Sequence, residues 1–166
     1  MDFIIRTMKK NDSSDKEFFD YTNFESYKTT LKDSEKYSEE ELHKKFQQFE
    51  EDDPLDINES KHSVFILETY NGIKVGLIWI TNREPFWRFN DQLAWIYNLH
   101  TIPEFRKQGL ARLLMIRAEE WAVDQNLNSI ALHVLNDNTF ARNLYESLGY
   151  ELVVTHNTSC FYEKKV

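Results

Sequence analysis

The sequence predicts a mixed fold of the α/β or α+β class, with a single β-sheet and helices on both faces. Short β-type segments alternate along the chain with longer segments whose apolar residues recur every three to four positions. Asn71-Gly72 separates two β-rich runs and predicts an antiparallel hairpin. Residues 93–135 read as strand, helix and strand, which predicts a parallel pair. Because both kinds of pairing occur, the sheet is predicted to be mixed.

Local signals place the elements of the N-terminal half. Residues 3–7, FIIRT, are typical of a short first strand. Two Ser-x-x-Glu capping boxes, at 14–17 and 38–41, each predict the start of a helix. Residues 62–70 and 74–82 are the predicted hairpin strands, and the Asn-Gly pair between them predicts a type I′ turn.

The C-terminal half is predicted to contain four strands and two helices. Strand 93–102 precedes a helix that begins at about Gly109, and strand 129–135 precedes a helix at 138–148, which Gly149 ends. The tail supplies two more strands. This last helix is predicted to carry one apolar face, formed by Phe140, Ala141, Leu144, Tyr145 and Leu148. The predicted order is β-α-α-β-β-β-α-β-α-β-β.

Composition bounds the class of protein. A chain of 166 residues with 41% hydrophobic content predicts one globular domain, residues 1–166. Its net charge of −8 argues against nucleic acid as a partner and fits a cationic substrate, or serves solubility alone. The N-terminal apolar run is too short for a signal peptide, and no segment is long enough to span a membrane, so a cytoplasmic protein is expected. The single cysteine, Cys160, is interpreted as structural.

The segment 101–114, TIPEFRKQGLARLL, holds one of only four glycines in the chain. The first amides of a helix have no intrahelical partner and attract anions, and a glycine lets a phosphate approach the backbone. Arg106, Lys107 and Arg112 add positive charge, and small Ala111 keeps the approach open. These residues indicate a phosphate site at Gly109. The alternative is that this glycine only eases the chain into the helix.

Two motifs in order resemble the signatures of the GCN5-related N-acetyltransferase (GNAT) superfamily. Residues 106–111, RKQGLA, resemble its R/Q-x-x-G-x-G/A signature. Residues 132–150, LHVLNDNTFARNLYESLGY, resemble its L-x-V…N-x-x-A-x-x-L-Y-x-x-x-G-F/Y signature. The match is tightest over residues 93–150, and small uncharacterised bacterial acetyltransferases are the most similar members.

The resemblance implies a splayed sheet and acetyl-CoA as cofactor, with the pantetheine arm between strands 93–102 and 129–135. Backbone groups of Leu99, His100 and Thr101 are then expected to meet the pantetheine. Thr101 departs from the valine usual in the family, which matters little for a backbone contact. The pyrophosphate is expected on the amides of the following loop and helix start, formed by Arg106, Lys107, Gln108, Gly109, Leu110, Ala111 and Arg112. Asn138 is expected near the cofactor arm.

The implied reaction is direct attack of a primary amine on the acetyl thioester. Tyr145 matches the family's general-acid tyrosine, although its place on the apolar face also fits an interior aromatic. Relatives often carry a glutamate base on the strand 93–102, but this strand has no carboxylate. Tyr97, Glu84 or Asp91 are possible proton carriers, and His100 and His133 are interpreted as structural. The histidine spacings predict no metal site.

The acceptor predicted from the sequence is a small cationic amine. A protein N-terminus or lysine remains an alternative, as does a catalytically silent acyl-CoA-binding module. No membrane partner is predicted, and a homodimer is left open. Aromatic residues of the loop 83–92 are interpreted either as a wall of the acceptor pocket or as a dimer contact.

Overall fold

The computed structural model describes residues 2–166, which form two compact units. One unit comprises residues 2–7 and 61–166, and the other is Met8–Ser60. The prediction that residues 1–166 form a single domain stays a prediction. Among the described residues, no helix is both long and apolar enough to cross a membrane. The same residues contain no cluster of three or more histidine, cysteine or acidic side chains suited to a metal.

The unit Met8–Ser60 contains helices α1 (Ser13–Thr30) and α2 (Glu39–Asp52). The rings of Phe24 and His43 stack between the two helices, with centroids 4.0 Å apart. The predicted capping box at Ser38 is confirmed, because its hydroxyl accepts from the amide of Glu41.

The predicted capping box at Ser14 is wrong. Asp12 is the N-cap of α1, and its carboxylate accepts from the amide of Asp15 at 3.1 Å. Aspartate caps a helix as well as serine does. The residue that caps α1 therefore lies two positions before Ser14, the residue that the capping-box pattern selected.

The larger unit contains one seven-stranded sheet of order β1-β2-β3-β4-β5-β7-β6. Its strands are β1 (Phe3–Thr7), β2 (His62–Thr69), β3 (Lys74–Arg83), β4 (Leu93–Thr101), β5 (Ser129–Leu135), β6 (Glu151–His156) and β7 (Ser159–Lys165). Helix α3 (Leu110–Asp124) joins β4 to β5, and α4 (Thr139–Ser147) joins β5 to β6. Among these described strands, only β4 and β5 pair in parallel. The predicted mixed class and element order are confirmed.

The turn between β2 and β3 differs from the prediction. A type I′ turn needs positive φ at both central residues, but Gly72 alone has it, at 85°. The connection is a four-residue loop closed by a hydrogen bond from the amide of Gly72 to the carbonyl of Thr69. The hairpin itself forms as predicted.

Helix α3 packs closely on the sheet, and the residues between the helix and the strands form the main hydrophobic core of the larger unit. The buried residues of α3 pack against alternate residues of β5, namely Ile130, Leu132 and Val134. Gly76 in β3 lies beneath the helix, where a Cβ atom would come within 3.1 Å of Leu114 Cδ1 and 3.2 Å of the His100 carbonyl. Both distances are tighter than most Cβ contacts, so a larger residue here would require a small shift of these neighbours of α3 and β4.

The parallel strands β4 and β5 separate after a short contact. Only two residue pairs join them, Ala94 with Ile130 and Trp95 with Ala131. Both strands continue beyond these pairs, to Thr101 and Leu135. The register between β3 and β4 also shifts at this level, between Trp79 and Ile80. The sheet is therefore split between β4 and β5 at their carboxyl ends, as the predicted splay requires.

Candidate active site

The loop after β4 leads directly into the split. A short 3-10 turn, Pro103–Phe105, follows the strand, and α3 begins at Leu110 with Gly109 as its N-cap. Two residues of the loop are left-handed, Lys107 with φ 64° and Gly109 with φ 76°. The predicted helix start at Gly109 is confirmed.

Gly109 leaves the N-terminus of α3 open. No side chain of the described residues caps this helix, and a Cβ built on Gly109 would meet no atom within 4 Å. The amides of the first turn have no intrahelical partner and lie at the positive end of the helix dipole. An open space next to such amides is suited to an anion.

A cavity of about 420 Å³ adjoins this helix start. It is lined by Thr101, Phe105, Arg106, Lys107, Gly109, Leu110, Ala111, Arg112, Phe140, Asn143, Leu144 and Ser147. Most of the predicted phosphate-loop residues therefore lie together on one cavity. Of the other predicted cofactor contacts, Leu99, His100, Gln108 and Asn138 lie outside this lining.

Two arginines at the cavity are held by neutral partners. The Arg106 Nε donates to the carbonyl of Thr101 at 2.8 Å, and Arg112 Nη2 donates to Ser147 Oγ at 2.7 Å. Neither guanidinium has a carboxylate partner among residues 2–166. The charge of both arginines is thus available to an anion in the cavity, although the chain as a whole carries −8.

The β4 edge presents alternate backbone groups to the split. The amide of Ile102 donates to the carbonyl of Val75 in β3 at 2.9 Å. Backbone groups alternate in direction along a strand, so those of His100 also face β3, whereas those of Leu99 and Thr101 face the split. The predicted backbone contacts of Leu99, His100 and Thr101 with the cofactor stay predictions, and of the three residues only Leu99 and Thr101 turn their backbone groups to the split.

One face of α4 forms the far wall of the cavity, which was not predicted from the sequence. Phe140, Asn143, Leu144 and Ser147 line the cavity at helical spacing. Phe140, a residue of the predicted apolar face, is 68% exposed and lines the cavity rather than the core. The i, i+3, i+4, i+7 spacing is visible in the sequence, but it does not tell a core face from a cavity face.

Asn138, a predicted cofactor contact, begins α4. Its side-chain oxygen accepts from the amide of Ala141 at 3.1 Å, which makes it the helix N-cap. Its contact with the cofactor stays a prediction, as does that of Gln108.

Tyr145, the predicted general acid, is buried in the core on the α3 side. Its ring lies 6.1 Å from that of Tyr150 and 6.2 Å from that of Tyr162. Burial raises the pKa of the Tyr145 hydroxyl well above its ordinary value of 10.0, so the group stays protonated. Tyr162 differs, since its hydroxyl accepts from Arg142 and donates to Glu146. The catalytic role of Tyr145 stays a prediction.

The other face of the split is aromatic. Residues 131 and 133 of β5 point away from α3, because residues 130, 132 and 134 face the α3 core. The His133 ring stacks on Trp95 and Phe161, with centroids 5.9 and 5.4 Å away. The loop 84–92 folds over the same surface, where Phe86 meets Trp95 edge-on at 5.1 Å.

Arg83 extends this aromatic surface. Its guanidinium lies 3.5 Å from the centroid of Phe86 and 5.1 Å from that of Trp95. Trp87, at 48% exposure, contacts Phe161 with centroids 4.8 Å apart. The loop aromatics thus pack mainly on the strands of their own sheet, and their predicted roles as pocket wall or dimer contact stay predictions.

Comparison with known proteins decides the family. A model of the acetyltransferase (GNAT) family matches residues 24–150, which is most of the chain. The chain belongs to this family. The predicted recognition, the N-acetyltransferase activity class and acetyl-CoA as its cofactor are confirmed at the level of the family.

Two relatives come from Bacillus subtilis (strain 168). Uncharacterized N-acetyltransferase YdgE is 28% identical over 117 residues, which are 70% of this chain and 73% of that protein. Uncharacterized N-acetyltransferase YycN is 28% identical over 98 residues, 59% of this chain. The match spans 61% of the length of YycN.

Solved structures share the fold at low sequence identity. The PaiA N-acetyltransferase of Thermoplasma acidophilum, in complex with coenzyme A, gives a TM-score of 0.70 at 19% identity, with full coverage of both chains. The spermidine/spermine N-acetyltransferase SpeG of Vibrio cholerae gives 0.61 at 18% identity, covering 99% of this chain and 95% of that one.

The residues present fit acetyl-CoA on observations of this structure. The start of α3 is uncapped, two arginines at the cavity lack carboxylate partners in the described chain, and Gly109 leaves space beside the amides. In addition, Thr101 Oγ1 at the cavity is buried with no hydrogen-bond partner among residues 2–166. A polar phosphate-bearing ligand would satisfy these groups together.

Proposed function

We propose that this protein transfers the acetyl group of acetyl-CoA to a small primary amine at the split between β4 and β5. The observation that carries the proposal is the uncapped N-terminus of α3, which opens on a cavity bordered by two arginines whose partners are neutral. Acetyl-CoA supplies the acetyl thioester when it is bound.

The anionic end of the cofactor would be held by the residues around Gly109. The amides of residues 107–112 donate to phosphate oxygens, and Arg106 and Arg112 add charge-assisted hydrogen bonds. Lys107 lies on the same cavity, and its left-handed backbone turns the loop towards the helix start. The exposed Phe140 ring on the opposite wall offers an apolar surface.

The split orients the rest of the cofactor. The backbone groups of Leu99 and Thr101 face it and would pair with the amides of an extended arm, much as a neighbouring strand would. Since the Thr101 carbonyl already accepts from Arg106, the backbone of Leu99 and the amide of Thr101 are the groups that remain. The backbone N–H of Leu99 is the donor we assign to the acetyl oxygen.

Tyr145 would donate the proton that the departing sulfur needs. Its hydroxyl stays protonated across the working pH range because burial raises its pKa. Tyr145 follows Leu144, which lines the cavity, in the last turn of α4.

The acceptor is proposed to be a small cationic amine. The net charge of −8 favours the approach of cations. SpeG, by its name, acts on spermidine and spermine, and AAC(6')-Iy, with a TM-score of 0.60 at 16% identity, was solved with a CoA–acetylneamine bisubstrate analogue. A peptide α-amine is the competing acceptor in the test.

The cofactor site is tested by calorimetric titration of CoA into wild type, Gly109→Val and Gly72→Val. Gly72 is a matched control, since it also has positive φ and its Cβ would also meet no atom within 4 Å. Each valine costs about 1–2 kcal/mol of backbone strain, so both variants lose similar stability. We expect the CoA affinity to fall more than tenfold in Gly109→Val alone. An unchanged affinity in Gly109→Val would contradict the phosphate site.

The activity is tested by thiol release from acetyl-CoA with spermidine, neamine and a peptide with a free N-terminus. Release that depends on the amine supports the proposed transfer, and the preferred amine identifies the acceptor class. Stabilisation by CoA without release from any of them would contradict the transfer and leave a binding protein.

A further inference from the structure

We propose that His133 is the catalytic base, which takes a proton from the acceptor ammonium at the β4–β5 split. This inference rests on the proposed function, because it places the acetyl thioester in that split. From the sequence alone His133 is interpreted as structural, and the structure gives three reasons to assign it a role in the reaction.

The first reason is position. β5 pairs with β4 only as far as Ala131, and His133 is the next residue of β5 whose side chain lies on the face away from α3. Its ring stacks on Trp95, which belongs to the last pair that joins the two strands. His133 therefore lies where the split opens.

The second reason is access. The cofactor cavity lies on the α3 side of the sheet, at the N-terminus of α3 and along α4. With the cofactor on that side, an amine reaches the split from the opposite face, and His133 stands on that face. The His133 side chain is exposed to solvent, and its imidazole nitrogens have no hydrogen-bond partner among residues 2–166.

The third reason is that the ring is fixed and neutral. Trp95 and Phe161 hold it at interplanar angles of 25° and 28°. Removal of water by these rings lowers the pKa of His133 below its ordinary 6.5, and the positive charge of Arg83 lowers it further. A neutral imidazole at pH 7 can accept a proton.

The other titratable groups around His133 do not replace it. Arg83 offers only hydrogen-bond donors, and Tyr97 is a phenol rather than a carboxylate or an imidazole. Glu163 of β7 pairs with Ala131 on the same face, but Lys165 lies 3.7 Å from its carboxylate. Glu151 of β6 stands opposite Glu163, one strand further from the split, and is exposed.

Two loop carboxylates and a second histidine complete the set. Glu84 and Asp91 are exposed residues of the β3–β4 loop. His156 lies at the end of β6, where its ring contacts Trp87 with centroids 5.3 Å apart. Glu84, Asp91 and His156 thus extend from a loop and from β6, whereas His133 extends from β5, which borders the split.

The proton balance is simple. His133 takes one proton from R–NH₃⁺ and becomes an imidazolium, while the amine becomes neutral. The N–C bond that then forms and the C–S bond that breaks are those of the acetyl transfer. The amide nitrogen loses a second proton as the thiol gains one, and the imidazolium returns its proton to water. The net release is one proton per amide formed.

The test compares wild type, His133→Gln and the matched control His156→Gln. His156 is an exposed histidine that also contacts an aromatic ring on this face, so its loss should leave the reaction unchanged. With the best amine of the panel, we expect kcat/KM of His133→Gln at pH 7 to fall about 10²–10⁴-fold. CoA affinity by calorimetry should stay within about twofold in both variants. Equal activity of the two variants would overturn the proposal.

The pH profile gives a readout that a structural role would not move. In wild type the acidic limb of kcat/KM should follow a group with a pKa below 6.5, and in His133→Gln this limb should be lost. Arg83→Gln should raise that pKa, because Arg83 lowers the pKa of His133. A limb that stays in His133→Gln, or that ignores Arg83→Gln, would overturn the assignment.

A measurement without an acceptor separates this inference from the proposed function. Proton NMR of the histidine rings is recorded while acetyl-CoA is added, with His133→Gln used to assign the signal. We expect acetyl-CoA to shift the His133 ring signal and to leave that of His156 in place. If acetyl-CoA binds and the His133 signal does not move, His133 is not at the thioester. If no amine of the panel reacts, the acetyl transfer fails, and the NMR result still decides the position of His133.

Discussion

The two faces of the β4–β5 split are built from the same strands but differ in chemistry. On the α3 side, even-numbered residues of β5 pack under a helix whose open N-terminus and two arginines border a cavity of about 420 Å³. On the other side, Ala131 and His133 meet a surface of aromatic rings formed by Trp95, Phe161 and the β3–β4 loop.

The difference teaches how one strand can serve both halves of a transfer reaction. Side chains of a strand alternate between faces, so one strand carries core residues for the cofactor side and a titratable residue for the acceptor side. If this division is correct, variants on the α3 side should change CoA binding or loss of the thiol. Variants on the aromatic side should change proton removal from the amine.

The largest effect in this comparison is expected for Tyr145→Phe. Loss of the hydroxyl should lower kcat about 10²–10⁴-fold and change KM little, because the proton is needed as the C–S bond breaks. Steady-state kinetics at saturating acetyl-CoA measures it. An acetyl donor whose thiol is more acidic, such as an aryl thioester, should restore part of the lost kcat, because its sulfur needs less help from a proton to leave.

Tyr150→Phe is the matched control for this change. Tyr150 is equally buried, contacts Tyr145, and has a hydroxyl with no hydrogen-bond partner among residues 2–166. Its loss should leave kcat unchanged and should not lower stability, since no hydrogen bond is removed. If Tyr145→Phe behaves like Tyr150→Phe, Tyr145 is a core residue only.

An intermediate effect is expected for Arg112→Gln, which should lower the affinity for CoA. The guanidinium has no carboxylate partner in the described chain, so its charge should strengthen binding of an anion about 5- to 20-fold at low salt. The difference should shrink as salt rises, because exposed charges are screened. Arg117→Gln on the same helix is the control, since Arg117 covers the Phe65 ring and lies near Glu120. Equal losses of CoA affinity in both variants would indicate that Arg112 acts through the overall positive charge of the helix and not through a contact with the cofactor.

The smallest effect is expected for Phe140→Ala. Its ring is 68% exposed on the cavity wall, so CoA affinity should fall about two- to fivefold and the melting temperature should stay unchanged. Phe49→Ala removes a ring of similar exposure, 57%, from α2 and should not change affinity. A clear loss of stability in Phe140→Ala would place the ring in the core after all.

Local signals in the sequence were enough for most of the fold. Period-two and helical patterns, together with the glycines at 109 and 149, placed every strand and helix in order, and the structure confirms them. The errors occurred where two local signals compete, as at the first helix cap, where an aspartate two residues earlier replaces the predicted serine. The turn at Gly72 shows the same limit, because an Asn-Gly pair fits more than one turn type.

The candidate site was predictable only in part, and for a physical reason. The loop 106–112 is one continuous segment, so its residues reach the cavity together. The surroundings of His133 could not be predicted from the sequence of its own strand, because the rings that hold it come from β4 and β7. Phe140 could not be assigned either, since a helix face that lines a cavity has the same spacing as one that lines a core.

Gly76 connects the packing distance between α3 and the sheet with the affinity of the protein for CoA. A Cβ atom at this point would lie 3.1 Å from Leu114 Cδ1 and 3.2 Å from the His100 carbonyl, so an alanine would require these neighbours to move by a few tenths of an ångström. Any part of that movement that reaches the first turn of α3 would change the distance between its amides and the Thr101 edge. The affinity for CoA should therefore depend on a residue that no ligand touches.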